Sequence, residues 1–273
     1  MLSYRHEFHA GNFGDLLKHA TLALILEYLK QKPAPIRYID THAGAGMYAI
    51  DGERARKTGE FALGVGSVNL QTLPAMLQSY GAVQREFLAR RLYAGSPMLA
   101  SHLLREQDEL RLFELHSSEF PRLQAAFARD RRTRVFNDNG FEAVTSLLPV
   151  QNARAVVLID PSYENRSDYE GVVTCVQKGY SRMPNAVFAI WYPVVGNPAL
   201  PVMLRKLTAI ATGKVWQFAL TAADVGATGM TATGMIVINP PWTLPEELTA
   251  AFALLCPQLA FTESNFTASC LKD

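Results

Sequence analysis

The chain has 273 residues, 49% of them hydrophobic, with 26 lysines and arginines against 25 acids and a formal net charge of +1. That length and apolar share suit one elaborated α/β domain, and the near-neutral balance excludes a protein coated in basic residues that holds nucleic acid by phosphate neutralisation alone. No apolar stretch reaches the roughly twenty residues of a membrane span and no basic-plus-apolar leader opens the chain, so the expectation is a soluble, cytoplasmic protein without a membrane partner.

The first element predicted is a helix over DLLKHATLALILEYLKQK, where Leu16, Leu17, Ala20, Leu24, Ile25 and Leu29 recur at helical spacing. Asn12 or Asp15 would cap it, and Pro33 lies beyond its end. A strand over Ile36 to Asp40 follows. The interval of about residues 47–105 then carries helical patterns around Thr72 to Tyr80 and Val83 to Arg91. A simple strand-helix-strand crossover needs about 30 residues, so this interval predicts a helical insertion within a single domain spanning 1–273.

Further strands are predicted over Leu110 to Leu115, Arg134 to Asn137, Ala155 to Ile159, Ala186 to Tyr192, Val215 to Leu220 and Met235 to Ile238. Their alternation with helical segments implies an α/β fold with a doubly wound, mostly parallel, seven-strand Rossmann-like sheet. The Gly226-Ala227-Thr228-Gly229 region would join two late strands as a hairpin. Cys175, Cys256 and Cys270 are widely spaced and odd in number, which gives neither a disulfide framework nor a metal motif. His6, His9, His19, His42, His102 and His116 all precede residue 117, but no HExxH or comparable pattern frames them, so no metal is expected. Two basic groups, Arg129 to Arg134 and Arg85 with Arg90 and Arg91, are either solvated faces or local phosphate contacts.

Strand ends in such a sheet form the ligand rim. After the first strand comes Asp40-Thr41-His42-Ala43-Gly44-Ala45-Gly46, whose glycines permit a tight turn and a close ligand approach. The third glycine of a pyrophosphate fingerprint is missing, which favours an adenosyl cofactor over a dinucleotide. Glu114 ends the next strand, where a carboxylate can accept from two ribose hydroxyls. Asp138-Asn139-Gly140 follows the third as either an adenine-recognising turn or an ordinary one.

Asp160-Pro161-Ser162-Tyr163 ends the fourth strand. An exocyclic amine is a poor nucleophile because its lone pair is conjugated. Two acceptors on its hydrogens, the Asp160 carboxylate and the Pro161 carbonyl, would turn that lone pair toward an incoming methyl, with Tyr163 stacking on the base. The alternative is a plain Asx-Pro turn. Taken in order, the four sites predict S-adenosylmethionine-dependent methylation of an amino nitrogen. Asn239-Pro240-Pro241-Trp242 is a rival motif, but a seven-strand sheet needs three strands after the catalytic one, and these follow Tyr163, not Trp242.

Several long segments point the same way: MLSYRHEFHAGNFGDLLKH, YIDTHAGAG, YAGSPMLASHLLREQDEL, WYPVV and TGMIVINPPW. On these the chain resembles the 23S ribosomal RNA adenine-N6 methyltransferase J family over nearly its whole length. The resemblance implies a class I methyltransferase with a helical insertion, S-adenosylmethionine as cofactor, and 23S ribosomal RNA as partner before full ribosome assembly. It implies that His19, His42, Gly44, Gly46, Ser96, Glu114, Asn139, Gly140 and Asp160 hold the donor and that Asp160 is catalytic. Tyr4, Pro161 and Tyr163 would meet the substrate adenine, and Lys18 and His6 would line the same entrance. Two departures stand out. Ser162 replaces the second proline of Asp-Pro-Pro-Tyr, and Asn139 stands where the family usually has aspartate. A DNA adenine methyltransferase and a non-catalytic nucleic-acid-binding protein of the same fold are the rival functions.

Overall fold

Ten strands and nine α-helices make up the described residues of the computed structural model, 6–52, 58–222 and 230–273. The strands are β1 (Ile36–Asp40), β2 (Met47–Ala49), β3 (Leu92–Ala94), β4 (Glu109–Phe113), β5 (Thr133–Phe136), β6 (Arg154–Ile159), β7 (Val187–Val194), β8 (Val215–Thr221), β9 (Ala232–Ile238) and β10 (Phe266–Lys272). The helices are α1 (Phe13–Lys30), α2 (Glu60–Leu63), α3 (Gln78–Leu88), α4 (Ser96–Leu103), α5 (Glu119–Ala126), α6 (Gly140–Leu147), α7 (Arg166–Arg182), α8 (Ala199–Ile210) and α9 (Leu244–Leu255).

Eight strands join in one sheet in the order β10-β8-β9-β7-β6-β1-β4-β5. The five from β7 to β5 run parallel, while β9 pairs antiparallel with both β7 and β8. This is the doubly wound, mostly parallel sheet expected, extended by β10, which pairs antiparallel with β8 at the edge. The sheet therefore has eight strands where the sequence predicts seven.

Alternation along the central strands divides the core in two. Tyr38, Val156 and Leu158 face α1, α4 and α9, whereas Ile39, Val157 and Ile159 face α6, α7 and α8. Apolar residues surround α1 almost completely, because the insertion covers the side that the sheet does not. Its polar residues Asp15, Lys18 and His19 are consequently enclosed.

Between β1 and β4 the chain forms more than helices, since β2 and β3 pair as an antiparallel ribbon. The two helices predicted around Thr72 to Tyr80 and Val83 to Arg91 are one run: a short 3-10 turn, Ala75–Leu77, leads straight into α3. Gly81 sits inside α3 where a Cβ would meet Leu73 at 2.7 Å, so close packing against the preceding loop explains a glycine in mid-helix.

Candidate functional site

The carboxyl ends of β1, β4 and β6 converge with α1 and the start of α4 on one cleft. His19, His42, Gly44, Ser96, Glu114, Asp160 and Pro161 line it together, joined by His6, Lys18 and Ser162. Sequence positions up to 156 apart thus meet at the rim where a parallel sheet presents its loops.

The glycine turn is tied to the neighbouring strand ends. Thr41 N–H donates to Leu158 O at 3.1 Å, and Gly44 N–H donates to Glu114 Oε2 at 2.8 Å. His116 N–H donates to the other Glu114 oxygen at 2.6 Å, while burial pushes the Glu114 carboxyl above its usual pKa. Gly44 has φ +60°, and a Cβ there would overlap the Tyr48 hydroxyl, so a side chain is excluded twice over. Gly46 supports the turn from behind: its carbonyl accepts from Gly95 N–H at 2.9 Å, and it does not line the cleft.

Asp40 is completely buried and accepts from the Tyr38 and Ser96 hydroxyls, each at 2.7 Å. Those bonds fix Ser96 at the cleft wall, and burial raises the Asp40 pKa. His19 has Nδ1 2.6 Å from the Tyr93 hydroxyl, while its buried Nε2 has no hydrogen-bond partner within the chain. An orphaned ring nitrogen on a cleft wall is the mark of a group that a ligand completes.

Burial lowers the His19 pKa from 6.5 to about 3. The folded state therefore excludes a proton that the unfolded chain binds below pH 6.5. The resulting stability is full above that pH and is lost as pH falls, by about 1.4 kcal/mol per unit. Denaturant unfolding at pH 7 and 5.5 should show a loss of about 1 kcal/mol from this residue in the native chain, so that His19→Gln loses less over the same interval. Equal losses would contradict the assignment.

A chain of charges runs from the entrance to Asp160. His6 Nε2 lies 2.9 Å from Asp15 Oδ2, Asp15 Oδ1 lies 2.7 Å from Lys18 Nζ, and Lys18 Nζ lies 2.6 Å from Asp160 Oδ2. Burial alone would lower the Lys18 pKa, but the two carboxylates hold it above the ordinary lysine value. Burial would likewise raise Asp15, yet His6 and Lys18 keep it well below the usual carboxylate range. Sequence reasoning treated Asp15 only as a possible helix cap. Asn12 takes that role, accepting from Asp15 N–H at 2.9 Å, and the carboxylate is free to clamp Lys18. The signal was the i, i+3 acid-lysine spacing on one helix.

Besides Gly46, three expected site residues among the described ones stand outside the lining. Tyr163 is not an open stacking face: its ring is buried against Tyr169 and Trp191, and its hydroxyl donates to Trp191 O at 2.6 Å. These contacts hold it at φ +54°, an uncommon conformation for a bulky residue, and so set the turn that carries Asp160 and Pro161. Asn139 caps α6 by accepting from Phe141 N–H at 3.0 Å. Gly140 packs so tightly on Thr41 that a Cβ would collide with its backbone. Tyr4 lies outside the described residues.

The rival motif is at the opposite end of the sheet. Asn239 donates from its side-chain amide to Pro184 O at 2.7 Å and Ala186 O at 2.8 Å, fastening the exit of β9 to the entrance of β7. Trp242 beside it is 75% exposed and remote from the cleft.

Comparison with known proteins identifies the family to which the chain belongs. Residues 33–269 match the family model described as ribosomal RNA large subunit methyltransferase D, RlmJ. The chain is 46% identical over 253 residues to ribosomal RNA large subunit methyltransferase J of Escherichia coli (strain K12), covering 91% of this chain and 90% of that protein. It is 43% identical over 254 residues to the protein of the same name from Haemophilus influenzae, again covering 91% and 90%. A crystal structure of a protein from Legionella pneumophila superposes with a TM-score of 0.87 at 31% identity, covering 96% of this chain and 97% of that one.

Proposed function

The chain belongs to the ribosomal RNA large subunit methyltransferase family that its sequence matches over residues 33–269, and on that premise we propose that it methylates N6 of an adenine in 23S ribosomal RNA. S-adenosylmethionine is the methyl donor, and its sulfonium supplies both the methyl group and a good leaving group. The observation that carries the reading is the Lys18–Asp160 pair beside Pro161, set in the same cleft as Glu114.

The cleft suits an adenosyl donor. The orphaned His19 Nε2 offers one buried partner. Gly44 leaves room for close approach, and Glu114 presents an acceptor positioned by two backbone N–H groups. We assign His19, His42, Gly44, Ser96, Glu114 and Asp160 to the wall that touches the donor. Gly46, Asn139 and Gly140 shape that wall from outside it.

Asp160 performs the acceptor step. Lys18 occupies Oδ2, leaving Oδ1 for an amine hydrogen while the Pro161 carbonyl takes the other. The hydrogen bond to Oδ1 strengthens as the nitrogen becomes cationic, which stabilises the transition state without prior deprotonation. Tyr4, from the segment preceding His6, is assigned to the substrate adenine. The base must leave its stack to enter, which favours RNA met before ribosome assembly is complete.

Glu114→Ala should weaken S-adenosylmethionine binding by about 1–3 kcal/mol, the scale for hydrogen bonds to a charged group. Calorimetry on the folded variant checks this, and unchanged affinity removes Glu114 from the site. The function itself is tested with purified protein, S-adenosylmethionine and matched RNA and DNA strands bearing the same sequence. Donor-dependent methylation of the RNA is expected. Preference for DNA, or binding without methylation, would overturn the proposal in favour of one of its rivals.

A further inference from the structure

Glu119 opens α5 and is only 4% exposed, yet its Oε2 is buried without a hydrogen-bond partner. It lines the same cleft as Glu114, Gly44 and Tyr48. Its other oxygen is engaged from the outer side, by the Ser118 hydroxyl at 3.3 Å and the half-exposed Arg122 guanidinium at 3.6 Å. Its backbone N–H donates to His116 O at 3.1 Å, and His116 N–H in turn donates to Glu114. The two carboxylates are therefore held in one turn, close enough for the Glu119 charge to add to burial in raising the Glu114 pKa.

A buried carboxylate oxygen with no donor is costly, and native structures leave few such atoms unless a ligand completes them. What completes it must donate a hydrogen and reach the Glu114 end of the cleft. A hydroxyl of the donor's ribose does both. Each Glu114 oxygen already accepts one backbone N–H, so a second carboxylate relieves Glu114 of serving both hydroxyls alone.

We propose that Glu119 is a second ribose-recognising residue, its Oε2 accepting a hydrogen from one hydroxyl of the bound adenosyl donor. The inference rests on the donor reading above and adds a residue to it. Arg122 and Ser118 position the carboxylate from outside, and Glu119 itself touches the ligand.

Calorimetry with S-adenosylhomocysteine and its 2′-deoxy and 3′-deoxy counterparts tests it on the native chain, Glu119→Ala and the near-isosteric Glu119→Gln. Against S-adenosylhomocysteine, Glu119→Ala should lose about ten- to a hundredfold in affinity, and Glu119→Gln should lose less, since its amide oxygen still accepts. One deoxy analogue should bind the native chain and Glu119→Ala almost equally, because the hydroxyl that Glu119 recognises is gone. An equal loss toward all three ligands, or no loss toward any, overturns the proposal. Failure of the native chain to bind S-adenosylhomocysteine overturns the donor reading itself, a separate result.

Discussion

Asp160→Ala is expected to lower methyl transfer by on the order of a hundred- to a thousandfold, the scale for removing one group aimed at charge that develops in a transition state. Donor affinity should survive, since the other five residues of the donor wall come from α1, α4 and the β1 and β4 ends. Asn239→Ala is the control. It loses two bonds that fasten β9 to β7, so it should cost about 1–3 kcal/mol of stability while the folded variant turns over substantially. Single-turnover methylation beside thermal unfolding separates the two. Full activity in Asp160→Ala with none in folded Asn239→Ala would move the chemistry to the rival motif.

Lys18→Met should be the most destabilising of the substitutions considered. The lysine is 3% exposed and lies within 2.7 Å of a carboxylate on either side. Removing it takes the lysine partner from buried Asp15, which keeps His6 and the Gly11 N–H, and leaves Asp160 on the cleft wall without a cation; breaking a buried pair costs up to about 3–5 kcal/mol. Asp15 has a depressed pKa in the folded chain, so the stability it contributes is present at neutral pH and lost as pH falls through the carboxylate range. The gap between Lys18→Met and the native chain should therefore be wide at neutral pH and narrow in acid. Adding Asp15→Asn should recover part of the loss. A neutral-pH unfolding midpoint equal to the native one would contradict the clamp.

Which features the sequence reveals follows from the reach of each signal. The strand Ile36–Asp40 is legible because a short, almost wholly buried run ends at a glycine turn. The late strands are equally plain, since short β-branched runs such as MIVI, bounded by Gly234 and Asn239-Pro240, favour a strand over a helix. β10 is hidden: along FTASCLK only Phe266 is buried, as befits an edge strand with one side in solvent. The three-residue strands β2 and β3 are too short to show a period.

Site residues divide by the same logic. Glu114 and Asp160 announce themselves by standing at strand ends, where topology alone carries them to the rim. Tyr163 misleads, because a motif names a residue but not the direction of its ring, which Tyr169 and Trp191 decide. Asp15 and Glu119 are invisible as site residues for a different reason. Each looks like an acid in the first turn of a helix, a common surface position, and only tertiary enclosure gives it another role. The basic run from Arg129 is similar, for Arg132 spends its guanidinium on Asp130 and the carbonyls of Ser101 and Leu104.

The proposed dependence of adenine methylation on Asp160 is tested in cells by mass-spectrometric mapping of N6-methyladenine in 23S ribosomal RNA. Three cell lines suffice: one with the native chain, one without it, and one carrying Asp160→Ala at equal abundance. One adenine should be methylated in the first and unmethylated in the other two. An unchanged methylation map in cells lacking the protein, or full modification of that adenine by Asp160→Ala, would contradict the account.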